Sequence, residues 1–162
     1  MKLGIVDTTF SRVNMGKIAL DEIAKNKGEF DTLKVVRKTV PGIKDLPVEC
    51  ALLFENEKCD IVMALGMVGG ADIDSVCAHE ASSAIQAVML KHSKHIIEVF
   101  VHMKESMKNA VLDEMDLYLL TQDRIRKHVH NAIWLVENPA KLVERAGTGK
   151  RQGREDEGEI KG

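Results

Sequence analysis

The chain has 162 residues and a mass of 18.0 kDa, which indicates one folded unit, because single domains commonly hold roughly 100 to 200 residues. Its 44% hydrophobic and 30% charged residues are typical of a globular protein, and its 4% aromatic content is too small for a base-stacking nucleic-acid platform. The net charge of −2 gives no general attraction to phosphate backbones or anionic lipids, so we expect neither nucleic acid nor membrane as partners.

The compartment is indicated by hydrophobicity and by cysteine usage. No apolar run approaches the roughly 18 residues that span a bilayer, and residues 1–4 lead directly into a strand-like segment without signal-peptide features. We therefore expect a cytoplasmic protein. Cys50, Cys59 and Cys77 include no C-x-x-C pair, so we expect reduced and mostly buried thiols, with neither a disulfide framework nor a zinc site.

Apolar, β-branched segments alternate with segments of helical periodicity along the chain. In chain order, strands are predicted over 3–7, 33–40, 61–66 and 95–101, and helical spacing is found over 15–23, 48–54, 77–88 and 125–136. The last helix should end before Pro139. Four βα units predict the α/β class, with a flavodoxin-like three-layer α/β/α sandwich around a four-stranded parallel sheet.

The ends of the predicted strands locate the functional site. Ligands of open α/β sheets bind outside the carboxyl ends of the strands, so the loops after Asp7, Val40, Leu65 and Phe100 should surround it. Residues 145–154 are glycine-rich and basic, and residues 155–162 are acidic. We therefore predict a single domain over 1–154 and a frayed tail over 155–162.

Several blocks of the chain resemble the lumazine synthase superfamily. Residues 40–47 contain a Val-Pro-Gly turn followed by an acidic residue and a proline, as at the end of that family's second strand, with Asp45 in the acidic place. Residues 64–81 and 144–150 are similar to two further family blocks, and 4–13, 37–47 and 151–153 resemble its archaeal-type riboflavin synthase branch.

One block departs from the pattern of lumazine synthases. Those enzymes have a proton-transferring histidine and a threonine-rich phosphate-binding stretch in the third-strand loop, where this chain has residues 69–74 with Asp72 and Asp74. Two carboxylates repel phosphate. Because joining two lumazines requires no phosphorylated co-substrate, the departure favours riboflavin synthesis.

The resemblance implies a transferase that moves a four-carbon unit between two molecules of 6,7-dimethyl-8-ribityllumazine. The products would be riboflavin and 5-amino-6-ribitylamino-2,4-pyrimidinedione, formed between subunits of a homopentamer. No redox cofactor would be required, and Mg²⁺ assistance is expected. Two alternatives stay open: lumazine synthase itself, and a non-catalytic flavin-binding module, which the βα pattern alone permits.

The resemblance and the loop positions together give the candidate residues. His79, Glu80 and Asp74 are the catalytic candidates, since the first turns of a helix suit a carboxylate and a neutral histidine. The expected substrate-binding residues are Thr9, Phe10, Pro41, Gly42, Ile43, Asp45, Gly66, Met67, Glu98, Arg145, Lys150 and Gln152.

Several of these residues have both a functional interpretation and a structural alternative. Backbone donors at residues 41–43 would face the ligand, with Asp45 accepting ribityl hydroxyls, or the segment is a plain helix entry. Phe10 is a stacking surface or an aromatic lid, and His79 and Glu80 are functional or merely cap and solvate the helix. Glu98 in an apolar strand is functional or faces a subunit boundary. The basic residues 145–152 reach an adjacent subunit's pocket or form a solvated tail.

Overall fold

The computed structural model describes residues 1–30 and 32–149, and its elements follow the predicted alternation of strands and helices. The strands are β1 (Lys2–Thr8), β2 (Lys34–Val40), β3 (Ile61–Val68), β4 (Ile96–His102), β5 (Met107–Lys108) and β6 (Val111–Leu112). The helices are α1 (Met15–Lys25), α2 (Leu46–Glu55), α3 (Asp72–His92), α4 (Glu114–Glu137) and α5 (Ala140–Val143). Single 3-10 turns cover Ile43–Asp45 and Met103–Ser106.

The four long strands form one parallel sheet in the order β2-β1-β3-β4. Alternate residues of β3 enter two separate cores: Met63 and Leu65 pack with α1 and α4, and Val62 and Ala64 pack with α2 and α3. Helices therefore cover both faces of the sheet, which confirms the predicted α/β/α sandwich. All eight residues of β3 are buried, as expected for a central parallel strand.

The long third helix begins earlier than its apolar face indicated. It starts at Asp72, so His79 and Glu80 lie in its third turn. The expectation that the helix dipole stabilises these two side chains is therefore wrong, because that effect is confined to the first turn. Asp72 and Asp74 occupy the first turn instead.

A short hairpin of β5 and β6 connects β4 to α4 and was not predicted. Its turn residues Asn109 and Ala110 both have positive φ angles, of 50° and 62°. Such angles belong to the tight turns that usually contain glycine. Because this turn contains no glycine, it carries little signal in the sequence.

The three cysteines are not bonded to one another. Cys50 and Cys59 are buried, Cys77 is partly buried, and all three are free thiols. Burial raises the pKa of the Cys50 thiol to about 12, so it stays protonated.

No helix in the described part of the chain is long and apolar enough to cross a membrane.

Candidate active site

An open cavity of about 420 Å³ lies at the carboxyl edge of the sheet, where the loops after β1, β2 and β3 meet. This edge is the one that the strand pattern predicted. The cavity is largely apolar, with a few polar groups, as small-molecule sites usually are. Its lining residues are Phe10, Pro41, Gly42, Ile43, Lys44, Asp45, Met67, Gly69, Asp74 and Cys77.

Phe10 forms one wall of this cavity and is fixed to the opposite turn by the backbone. Its amide donates to the Pro41 carbonyl at 3.2 Å, and the Thr9 amide donates to Val40 at 2.8 Å. The Thr9 hydroxyl also donates to the Pro41 carbonyl, at 3.0 Å. Phe10 is nevertheless 53% exposed, so its ring is available to a ligand. The hydrogen bonds of Thr9 therefore fix the position of this wall. Thr9 itself lines two neighbouring cavities and not this one.

The turn after β2 satisfies its own polar groups. The Gly42 amide donates to the Asp45 carboxylate at 3.0 Å, and the Asp45 amide donates to the Gly42 carbonyl at 3.0 Å. Pro41 has no amide hydrogen. The prediction of free backbone donors at Pro41 and Gly42 is therefore wrong, and one oxygen of Asp45 is already engaged. Ile43 contributes an apolar wall to the cavity.

Two glycines allow β3 and its loop to approach the neighbouring elements. A methyl group at Gly66 would lie 2.8 Å from Ile43 Cγ2 and 2.9 Å from the Phe100 ring. A methyl group at Gly69 would collide with the carboxylate of Asp74. That carboxylate accepts the Ala71 amide at 2.9 Å and so caps the start of α3. Gly66 thus supports the cavity from behind, and Asp74 combines a cavity position with a capping role.

The predicted catalytic residues His79 and Glu80 are both exposed and lie beside the cavity rather than in its lining. Glu80 forms an ion pair with Lys44, which does line the cavity. The hydrogen bond from Lys44 lowers the pKa of Glu80, and the same bond raises the pKa of Lys44. Lys44 was missed as a site residue because its partner is 36 positions away in the sequence.

A second, polar cavity of about 390 Å³ lies beside the first and contains an ion pair of buried Asp7 with partly exposed Arg37. Asp7 is 3% exposed, and its carboxylate receives hydrogen bonds from Arg37 at 2.5 Å, Thr39 at 2.7 Å and the Gly16 amide at 3.1 Å. Arg37 also donates to Asn14 at 2.9 Å. Sequence reasoning did not assign these residues, although opposite charges in adjacent apolar strands offered a signal.

Glu98 lies half-buried on β4 beneath α3, away from both cavities. The Ser82 hydroxyl donates to it at 2.7 Å. Burial raises the pKa of Glu98, and the Ser82 hydrogen bond opposes that rise only in part. Within this chain the side chain does not reach the candidate site, so its predicted contact with substrate lacks support here.

The environment of Glu98 predicts an unusual pH dependence of stability. When the pKa of a carboxyl is raised in the folded state, the folded protein loses stability as the pH rises above the ordinary carboxyl pKa of 4.5. We expect Glu98→Gln to gain thermal stability relative to the wild type between pH 4 and pH 7. Glu105→Gln should show the opposite trend, with its change concentrated at and below pH 4.5, because Arg124 lowers the pKa of Glu105 and the ionised carboxylate then stabilises the fold. Parallel trends of the two variants in thermal melts across this range would contradict the assignment.

The C-terminal candidates lie elsewhere. The Arg145 guanidinium is 4.5 Å from the Trp134 ring centroid, at the end of α4. The amino terminus pairs with Glu137 there at 3.1 Å, so Arg145 is at the edge of the sheet where the strands begin, opposite the cavity. It does not reach the cavity within its own chain. Lys150 and Gln152 lie outside the described residues.

Metal-ligating side chains are not clustered in the described part of the chain. Within residues 1–30 and 32–149 there is no group of three or more histidine, cysteine, aspartate or glutamate side chains that could hold a metal ion. The carboxylates at the cavity, Asp45 and Asp74, are each engaged by a backbone amide. The described residues therefore do not fit a metal site built by the protein alone.

Together the fold and the cavity define an α/β protein with a cavity of small-molecule size at the carboxyl edge of a four-stranded parallel sheet. Residues 1–138 match the family model described as 6,7-dimethyl-8-ribityllumazine synthase. The chain belongs to this family, which confirms the resemblance found in the sequence.

Relatives of the chain fall into two groups. Proteins named riboflavin synthase from Methanothermobacter marburgensis and Archaeoglobus fulgidus are each 46% identical over 160 residues and match 99% of both chains. A protein named 6,7-dimethyl-8-ribityllumazine synthase from Desulfovibrio desulfuricans is 33% identical over 99 residues, which cover 57% of this chain and 62% of that protein. The similarity to archaeal riboflavin synthases is therefore higher and extends over the whole chain.

Proposed function

We propose that this chain is a riboflavin synthase. It transfers a four-carbon unit between two molecules of 6,7-dimethyl-8-ribityllumazine and releases riboflavin and 5-amino-6-ribitylamino-2,4-pyrimidinedione. The observation that carries this proposal is the 46% identity over nearly the full chain with riboflavin synthases, compared with partial matches to lumazine synthases.

The start of α3 supports the choice between the two activities. Lumazine synthase would have to bind a phosphorylated four-carbon ketone, and a helix N-terminus is a favoured phosphate site. Here two carboxylates, Asp72 and Asp74, occupy that first turn. The Asp74 carboxylate already accepts the Ala71 amide at 2.9 Å, so an incoming phosphate would meet a negative charge and one fewer free donor at this N-terminus.

The main cavity offers the surfaces that a lumazine requires. We propose that one ring lies on Phe10, opposite the apolar wall formed by Ile43 and Met67, with its ribityl chain toward the free oxygen of Asp45. The second lumazine then stacks on the first. Holding two reactants in the correct orientation can contribute about 7 to 11 kcal/mol, so positioning is the main task of the protein.

We propose further that neighbouring subunits of a homopentamer complete the site. In its own subunit Arg145 lies opposite the cavity, so this residue, with Lys150 and Gln152, would contribute to the site of an adjacent subunit. Glu98 and His79, which are outside the cavity in one chain, would likewise act only in the assembly. Light scattering measures the number of subunits. Two inactive variants, one altered in the cavity and one at Arg145, should regain activity when mixed, because some sites then combine an intact cavity with an intact Arg145 from the neighbouring subunit.

The cofactor expectations are part of this proposal. One lumazine gains the four-carbon unit and the other loses it, so no external redox cofactor is needed. Mg²⁺ assistance stays a prediction from the resemblance, although the described residues do not by themselves form a site for the ion. Assays after EDTA treatment, with and without added MgCl₂, test this expectation.

The proposed activity is tested by incubating the purified protein with 6,7-dimethyl-8-ribityllumazine alone. The absorbance spectrum should change to that of riboflavin, with two lumazines consumed for each riboflavin formed. Persistence of the lumazine would reject the proposal. Formation of lumazine from a phosphorylated four-carbon ketone would then indicate lumazine synthase, and a bound yellow chromophore without turnover would indicate a flavin-binding module.

Phe10 provides a test of the proposed substrate position. We expect Phe10→Leu to raise the KM for lumazine about tenfold, since stacking on an aromatic side chain contributes about 1–3 kcal/mol per base. Stability should change little because the side chain is 53% exposed. Phe10→Trp, which retains a stacking surface, is the matched control and should keep a KM near that of the wild type. Equal KM values for Phe10→Leu and wild type would remove Phe10 from the site.

A further inference from the structure

Among the described residues that line the main cavity, Lys44 alone is positively charged. Its ammonium group is paired with Glu80, and both side chains are 54% exposed. The two carboxylates of the cavity, Asp45 and Asp74, are each held by a backbone amide. Lys44 is therefore the charged donor that a bound ligand can meet without breaking the turns that form the cavity.

The proposed reaction generates a negative charge on the substrate. The new ring of riboflavin requires carbon–carbon bonds to methyl carbons of a lumazine, so one methyl group must lose a proton. The C–H bond breaks, the proton goes to water, and the electron pair stays in the conjugated ring. The charge then spreads to the carbonyl oxygens of the pyrimidine, and no oxidant or reductant is consumed. A donor already placed at such an oxygen is an effective catalytic device.

We propose that Lys44 is a catalytic residue that donates a hydrogen bond to a carbonyl oxygen of the bound lumazine and stabilises this anion. Glu80 is then a positioning residue that holds the Lys44 ammonium at the cavity. This inference rests on the proposed function. The lowered pKa of Glu80 agrees with it, because a carboxylate that binds its proton weakly is a poor base.

Deuterium uptake into the methyl groups of 6,7-dimethyl-8-ribityllumazine measures the step directly. Exchange is followed by proton NMR in D₂O with the full-length protein, and riboflavin formation is followed in the same samples. We expect Lys44→Met to slow exchange about 10- to 100-fold. Loss of a fully enclosed oxyanion donor slows a reaction about 100- to 1,000-fold, and the effect should be smaller here because Lys44 is partly exposed. Lys44→Arg should recover most of the rate, since it retains the charge.

A matched control is available in Lys104, which pairs with Asp72 at 2.6 Å near the same edge of the sheet but does not line the cavity. Lys104→Met makes the same change of charge and should exchange as fast as the wild type. Glu80→Gln should slow exchange less than Lys44→Met, and the double variant should be no slower than Lys44→Met alone. That pattern shows that Glu80 acts through Lys44.

The outcomes separate this inference from the proposed function. Wild-type protein that makes no riboflavin rejects the proposed function. Wild-type protein that makes riboflavin, while Lys44→Met exchanges at the wild-type rate, overturns the role of Lys44 alone. A double variant much slower than Lys44→Met overturns the positioning role of Glu80 and indicates that Glu80 is itself the base.

Discussion

Replacing Gly66 with alanine is expected to destabilise the protein by about 1–3 kcal/mol and to raise the KM for lumazine. The added methyl group would lie 2.8 Å from Ile43 and 2.9 Å from the Phe100 ring, closer than carbon atoms pack. Because β3 is buried along its whole length, the strand cannot move away. Ile43 and the Phe100 ring must shift instead, and the movement of Ile43 displaces the wall of the cavity. Thermal unfolding and steady-state kinetics measure the two effects.

Two other glycines distinguish damage to the site from general overpacking. A methyl group at Gly4 would lie 3.0 Å from Leu53 and 3.1 Å from Val62, in the core remote from the cavity. Gly4→Ala should therefore lower stability without changing KM. Gly28→Ala should change neither quantity, since no atom of the described residues beyond its chain neighbours lies within 4 Å of the added group. A Gly66→Ala protein with the KM of the Gly4→Ala protein would show that Gly66 does not support the cavity.

Replacing Arg37 with methionine is expected to lower the free energy of unfolding by about 3 kcal/mol, the lower end of the range for breaking a buried ion pair. Asp7 would remain as a buried anion with two neutral donors, Thr39 and the Gly16 amide. The Arg37 side chain is 29% exposed, so solvent screens part of the loss. Urea unfolding at a fixed protein concentration measures the effect, because subunit association also changes stability.

Two further variants test whether the uncompensated charge is the cause. Asp7→Asn in the Arg37→Met background removes that charge and should recover part of the stability. Arg12→Met breaks an exposed pair with Glu114, at 3.1 Å, and should cost less than about 1 kcal/mol. If Arg37→Met and Arg12→Met were equally stable, Asp7 would not depend on its partner as we infer.

The sequence by itself determined the layers of the fold and the edge of the sheet that carries the site. Alternating and helical hydrophobic patterns indicate which residues of each element face the core. Four βα units commonly pack as a three-layer sandwich around a parallel sheet. Because parallel strands all end at the same edge of the sheet, the sequence also predicted that several loop residues lie close together. The structure places them in one cavity: Phe10, Pro41, Ile43, Asp45 and Met67.

Tertiary structure alone decided which polar groups meet. The pairing of Lys44 with Glu80 and the burial of Asp7 with Arg37 join residues 36 and 30 positions apart. Periodicity carries no information on such contacts, because they depend on how one element crosses another. The same holds for Gly42, whose amide is consumed by Asp45 within its own turn, and for Arg145, which the end of α4 places at the far edge. Local patterns fix the direction of a side chain, but only the packed chain fixes its partner.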